Sequence, residues 1–326
     1  MLVQEFDAIL SDLDGVVYAG SSAIEHAVES LTRLEEFGVG LAYVTNNASR
    51  SPAQVAQHLR DLGAPALDEQ VVSSSQAAAA LLAERLEPSS FVLIIGSEAL
   101  AAEINLVGLH PIWSAEQNVP AAVVQGFDPK LGWQQLAEAS YAVTAGALWV
   151  ATNTDMTIPQ QRGIAPGNGT LVGAVKAATG KEPVVAGKPE APLFFTAAKR
   201  LGAKKPLVVG DRLDTDIRGG NNARFATAAV LTGIDSLESI LAACTIERPN
   251  FILNNLSELY QPYPEVVAKN GGYTCGSASA QVHNDELHID GSVDDLDAWR
   301  AACAAWWAAN PDCESATDPV IHWSGH

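Results

Sequence analysis

"FDAILSDLDGVVYAG", residues 6–20, is an apolar run of strand type that ends in Asp12 and Asp14, one residue apart, with Gly15 immediately behind them. Two carboxylates this close repel each other unless a cation sits between them or one of them keeps its proton. The stretch therefore asks for a cation, a proton transfer, or both. In an open parallel sheet, ligands bind beyond the carboxyl ends of the strands, which is where such a pair belongs.

The sequence around this run has the grammar of βαβ units. A helix is expected over about Ile24 to Phe37, then a strand in "GLAYVTNN", then a second helix with Ser51 as N-cap, Pro52 at its first position and Gly63 at its end. The same pattern returns in "EAPLFFTAAKRLG", "KPLVVGDRLDTDI", "ATAAVLTG" and "NFILNNLSEL". Between them lies a second alternating set, "FVLIIGSEAL", "AAVVQGFD", a helix around Gln134–Ala142 and "LWVATNTDMTIP", closed by "GNGTLVGAVKAATG". The expected fold class is α/β: a Rossmann-like parallel sheet core, an inserted α/β cap domain and a small α+β C-terminal extension. The core is assigned to 1–75 and 182–262, the cap to 76–181 and the extension to 263–326. An insertion after a catalytic strand is well placed to act as a lid. In the extension, "SASAQVHNDELHI" reads as a hairpin turning at Asn284-Asp285, and Ser292 with Asp295 as the cap of a helix to about Ala309. Trp299, Trp306 and Trp307 on that helix are expected to pack against the sheet.

With 326 residues, 48% hydrophobic, the chain has ample core-forming material, and 19 Lys and Arg against 38 Asp and Glu give a net charge of −19. Such a surface repels nucleic acid and anionic membranes, so neither is expected as a partner. No membrane-length apolar run and no secretory leader pattern is present, which points to the cytoplasm. Cys244, Cys275, Cys303 and Cys313 form no C-x-x-C pair and are expected as reduced thiols. No H-x-x-x-H or H-E-x-x-H pattern occurs, so no histidine is assigned to a metal.

The strand ends carry the chemistry. Asp12 follows "FDAILS", Thr45 follows "GLAYV" and Asp211 follows "PLVVG", while Lys188 arrives in "AGKPE" at the return from the insertion. D-L-D-G, T-N-N, G-K-P and G-D-R-L-D-T-D-I, in this order and spacing, resemble the haloacid dehalogenase superfamily of phosphatases, class IIA, the 4-nitrophenylphosphatase-like branch, over about residues 5–262. The resemblance implies a cap of type C2 that selects the substrate, and a Mg²⁺ cofactor held by the Asp12 side chain, the Asp14 main-chain carbonyl and Asp211. It implies Asp12 as nucleophile and Asp14 as the acid and base. Thr45, Asn46, Asn47 and Lys188 are then the phosphate-binding set, supported by Gly15 and Asp216. Asp155 in "NTDMTIP" and Arg50 are candidate specificity residues. "GNGT" is read as plain helix capping rather than a phosphate cradle.

The implied function is hydrolysis of a small phosphorylated metabolite through an aspartyl-phosphate. The tail after a class IIA core is similar to that of actinobacterial glycerol 3-phosphate phosphatases, where it is described as acetyltransferase-like. Glycerol 3-phosphate is therefore the expected substrate, with 2-phosphoglycolate, pyridoxal 5′-phosphate and nucleoside monophosphates as alternatives. No Gly-rich pyrophosphate loop accompanies the tail, so acetyl transfer is not expected. A homodimer joined through the lid is a further expectation. The alternative of another class is a regulatory or binding protein on a phosphatase scaffold.

Overall fold

The computed structural model of the chain describes residues 1–160 and 162–324. It divides into two compact units, one made of residues 1–41, 62–65 and 203 onward, the other of residues 42–61 and 66–202. No helix among the described residues is long and apolar enough to cross a membrane.

The first unit is built on four parallel strands in the order Phe251–Leu253, Ala226–Val230, Pro206–Gly210, Ala8–Ser11. Continuous apolar runs such as "AILS" and "PLVVG" suit strands buried on both faces, and every residue of these two is buried. Ser11 lies opposite Val209, so the two strands end together and Asp12 and Asp211 emerge from the same side. The next strand, Gly40–Thr45, begins in this unit, where Gly40 N donates to Asp7 O at 2.9 Å.

The expected helix from Ile24 starts later. His26 takes a positive φ of 64°, and the helix runs Ala27–Thr32 before tightening into a 3₁₀ segment, Arg33–Phe37. A left-handed residue cannot sit inside an α-helix, so the first turn is lost.

The tail belongs to this unit. Val266–Lys269, Gly272–Cys275, Ala278–His283 and Glu286–Asp290 form an antiparallel meander, and Val320–Ser324 adds in parallel to the last of them. Asn284 and Asp285 both adopt positive φ, 53° and 62°, as a two-residue hairpin turn requires. The helix Leu296–Ala309 is capped by Asp295, whose side chain accepts from Asp297 N; Ser292 shapes the preceding turn by accepting from Asp294 N and Asp295 N. Trp299 and Trp306 are buried and Trp307 is half-buried, and their indoles donate to Val293 O, Thr317 O and Leu241 O. One apolar cluster joins Leu213, Ile217, Ala229 and Ile252 to Leu287, Ile289, Trp299 and Trp306. The four cysteines are unpaired thiols, three of them buried.

Arg300 fastens the tail helix. Its side chain is only 8% exposed, forms ion pairs with Asp297 at 2.7 Å and Glu258 at 3.0 Å, and donates to Ile252 O at 2.6 Å. Arg300→Ala is expected to cost about 3–5 kcal/mol, because it leaves a buried carbonyl and two partly buried carboxylates without their cation. A denaturation midpoint within error of wild type would show that these contacts are dispensable.

In the second unit, the end of Gly40–Thr45 pairs in parallel with Val71–Ser73. A five-stranded parallel sheet has the order Val184–Val185, Leu148–Ala151, Ala122–Gln125, Phe91–Ile95, His110–Ile112. The helices Ser74–Arg85, Glu98–Leu106, Trp133–Thr144, Asn168–Thr179 and Pro192–Leu201 belong to this unit. The helix Pro52–Asp61 has the expected start: Gln54 N donates to Ser51 Oγ at 3.3 Å and Ser51 N to Gln54 Oε1 at 2.9 Å. A hairpin, Thr157–Gln160 with Gly163–Pro166, stands before the Asn168 helix.

Candidate active site

The first unit brings three carboxylates together. Asp12, Asp211 and Asp216 each offer one oxygen, and these oxygens lie within 4.8 Å of one another. Asp12 is half-buried just past Ala8–Ser11, and its N–H still pairs with Val209 O at 2.9 Å. Asp211 and Asp216 are 3% and 1% exposed. Asp211 follows Pro206–Gly210, and its Oδ2 accepts from Ile234 N at 2.9 Å. Asp216 sits in a widened helical turn in which Ile217 N reaches back five residues to Arg212 O, and its Oδ2 accepts from Arg212 N at 3.2 Å. Such wide turns re-aim side chains and concentrate at functional sites.

The loop after Asp12 is tightly folded. Val17 N donates to Leu13 O at 2.8 Å and Gly15 N to Tyr18 O at 2.9 Å, while Gly15 O accepts from Thr232 Oγ1 at 2.6 Å. Asp14 is exposed at its tip. Gly15 has φ +77°, and a Cβ on Gly15 or on Gly233 would fall on the Asp211 carboxylate. Both positions therefore need glycine for the backbone to close around that acid.

This cradle suits a small hard cation. All its donors are oxygens, and two of the three acids are removed from water, where unneutralised charge is costly. Asp12, Asp211 and Asp216 are the residues that can hold a metal.

In the second unit, Lys188 is buried at 3% exposure in the loop after Val184–Val185, preceding a cis peptide bond to Pro189. Asn46 brackets its main chain: Lys188 N donates to Asn46 Oδ1 at 2.8 Å, and Asn46 Nδ2 donates to Lys188 O at 3.1 Å. The same amide donates to both Asp155 oxygens, at 3.1 and 3.2 Å. A side chain on Gly187 would collide with Asn46 Oδ1 and Thr152 O, so the approach depends on that glycine. Thr45 is buried, and its Oγ1 accepts from Asn47 N at 3.1 Å. The Asn47 side chain accepts from Ser49 N and Oγ, and Arg50 is exposed on the same loop.

Sequence reasoning passed over two asparagines that carry this network onward. Asn153 Nδ2 donates to Asn46 O at 2.7 Å, and Asn168 Nδ2 donates to Asn153 O at 2.7 Å. Both are buried, and their places in the sequence, just past a strand and at a helix start, are the only signal it offers for them. In "GNGT", Gly167 N and Gly169 N donate to Met156 O and Asp155 O, so these amides hold the Asp155 loop.

The haloacid dehalogenase-like hydrolase profile matches residues 9–110, and a second HAD-hydrolase-like profile matches 185–259. Aligned over 316 residues, the chain is 44% identical to the D-glycerol 3-phosphate phosphatase of Mycobacterium tuberculosis, covering 94% of this chain and 88% of that protein. The chain belongs to the haloacid dehalogenase-like hydrolases. It is an enzyme of that family, a phosphoric monoester hydrolase. Crystal structures of a glycerol phosphate phosphatase from Mycobacterium tuberculosis superpose with TM-score 0.90 for the calcium complex and 0.88 for the magnesium complex, at 42% and 41% identity. These cover 99% and 100% of this chain, and 94% and 95% of the solved ones. A 5′-nucleotidase of Bacillus subtilis is 36% identical over 80% of this chain and all of its own length.

Gly233→Ala is expected to lower turnover by tenfold or more while leaving far-ultraviolet circular dichroism unchanged, since the added methyl displaces Asp211 and one 1.4 kcal/mol loss is about tenfold. Wild-type turnover in a folded Gly233→Ala protein would show that Asp211 tolerates movement.

Proposed function

We propose that the enzyme is a Mg²⁺-dependent phosphatase of glycerol 3-phosphate, acting in the cytoplasm through an aspartyl-phosphate intermediate. The reaction reading is carried by the convergence of Asp12, Asp211 and Asp216. The substrate reading is supported by an alignment to the D-glycerol 3-phosphate phosphatase that covers 94% of the chain, against 80% for the 5′-nucleotidase.

In this mechanism an Asp12 carboxylate oxygen attacks phosphorus, and the bond from phosphorus to the glycerol oxygen breaks. Asp14, exposed on the loop tip, gives its proton to that leaving oxygen. It then takes a proton from the water that attacks phosphorus and breaks the Asp12–phosphorus bond, which returns both acids to their starting states. Mg²⁺, when bound by Asp12, Asp211 and the Asp14 carbonyl, with Asp216 in support, supplies the positive charge that offsets the phosphate dianion. Thr45 donates its hydroxyl hydrogen to a phosphoryl oxygen, Asn46 offers its main-chain N–H and Asn47 its side-chain amide N–H, since the Asn47 main-chain N–H is engaged with Thr45 Oγ1, and Lys188 supplies a fixed positive charge. The Asn46 carboxamide is engaged with Lys188 and Asp155, so its proposed part is to position the lysine. Asp155 is held on that bracket, and we assign specificity to residues 76–181, with Arg50 at the margin.

Phosphate release from glycerol 3-phosphate, 2-phosphoglycolate, pyridoxal 5′-phosphate and nucleoside monophosphates, with Mg²⁺ and with chelator, tests the assignment. Glycerol 3-phosphate is expected to give the highest kcat/KM and chelator to abolish turnover. A higher kcat/KM for another compound rejects the substrate. Asp12→Asn is expected to be folded and inactive, and activity at wild-type level would reject the nucleophile. Lys188→Ala is expected to lose about 100- to 1,000-fold in kcat, as loss of a transition-state donor does. Asn46→Ala should move kcat in the same direction by a smaller factor, whereas unchanged kcat would make the bracket purely structural.

A further inference from the structure

The outer face of the tail sheet carries groups that phosphoryl transfer does not use. Along Glu286–Asp290, Leu287 and Ile289 are buried in the core, so Glu286 and His288 point to the opposite face. Val320–Ser324 pairs with this strand in parallel, and His322 stands directly opposite His288. The two imidazoles stack with ring centroids 4.7 Å apart and planes 15° from parallel. His322 Nε2 also lies 2.9 Å from Glu286 Oε2. One ligand atom from each of the three residues lies within 4.8 Å of the others.

We propose that Glu286, His288 and His322 form a second metal site, for a zinc-class transition ion, which clips the last strand to the tail sheet. Two imidazoles and one carboxylate are the donor set that Zn²⁺ accepts in open four-coordinate sites. Mg²⁺ takes oxygen ligands and keeps its waters, so the ion for this site differs in class from the one for the aspartate cradle. A tetrahedral ion with bonds of about 2.1 Å needs donor nitrogens about 3.4 Å apart. A metal–imidazole bond lies in the ring plane, so binding requires the His288–His322 stack to open. His322 is 49% exposed and Glu286 47%, which leaves these two side chains room to turn.

The surroundings leave the fourth position accessible. A hollow of ≈ 390 Å³ adjoins His288, with Tyr273, Ser279, Gln281, Asp290 and Ser324 among its lining residues. Water or a small anionic ligand can complete the coordination from that side. The clip has a mechanical consequence. Val320–Ser324 is an edge strand paired on one side only, with alternate residues exposed, and a metal bonded to His288 and His322 ties it to its single neighbour. Because the ligands come together only in the folded tail, the free energy of binding adds to its stability.

The test is titration of the Mg²⁺-saturated full-length enzyme with Zn²⁺, followed by calorimetry and by thermal unfolding. Wild type is expected to take up one Zn²⁺ and to gain in Tm. His322→Ala and His288→Gln are each expected to weaken that uptake more than about tenfold and to remove the gain in Tm, with Mg²⁺-supported turnover unchanged. The same Zn²⁺ affinity and Tm shift in a His288→Gln, His322→Ala double variant would overturn the site. So would absence of Zn²⁺ uptake by the Mg²⁺-saturated wild type.

Discussion

Three carboxylates with oxygens held within 4.8 Å of one another are the constraint on which the strand-end face of the first unit depends. At an effective dielectric constant of about 20, two full charges at that separation repel by about 3 kcal/mol. The fold meets this cost with donors and with shape. Ile234 N and Arg212 N each commit a hydrogen bond to one acid. Gly15 and Gly233 let the backbone close on Asp211 where any Cβ would collide. A site built this way is over-determined by its surroundings and unfavourable when its charge is uncompensated, which is how a structure stores affinity for a cation.

The second unit handles one positive charge by a different device. Lys188 is placed through its backbone, by an asparagine that satisfies its N–H and its C=O together. A planar amide used in this way mimics a neighbouring β-strand and fixes the main chain. The chain Asn46, Asn153, Asn168 extends the same logic to the start of the Asn168–Thr179 helix, so the lysine loop, the Asp155 loop and that helix share one set of polar contacts. Each of these asparagines is more than a local turn residue, because its partners are distant in sequence.

The strands, their parallel direction and the acids at their ends are legible from the sequence, because continuous apolar runs and D-x-D-G punctuation are local signals, while the order of the strands is not. The helix expected from Ile24 failed at His26, whose left-handed backbone no propensity reveals. Asn46 was read as a phosphate ligand from its place in T-N-N, while the bracket it forms joins it to a residue 142 positions away. The histidines looked unpatterned because ligand spacing was sought along one segment. His288 and His322 meet only through the parallel pairing of Val320–Ser324, a register that hydrophobic alternation did not announce. Non-local pairing is the common reason that these features lay beyond a reading of the chain.

The tail also changes meaning once its packing is known. As sequence it is an appendage after a complete phosphatase core. As structure it shares an apolar cluster with Leu213 and Ile217, which lie on either side of Asp216 in the wide turn. Trp299 and Trp306 fill that cluster from the tail helix, and Arg300 binds the same helix to Ile252 O at the end of the core sheet. The turn that aims Asp216 therefore rests on side chains supplied from beyond residue 262. In this chain the tail is structurally continuous with the turn that carries Asp216. A change on the buried face of the tail sheet, at Leu287 or Ile289, is thus packed through to the turn that holds Asp216, by side chains that are close to fully buried, whereas the outer face of the sheet has no part in that cluster.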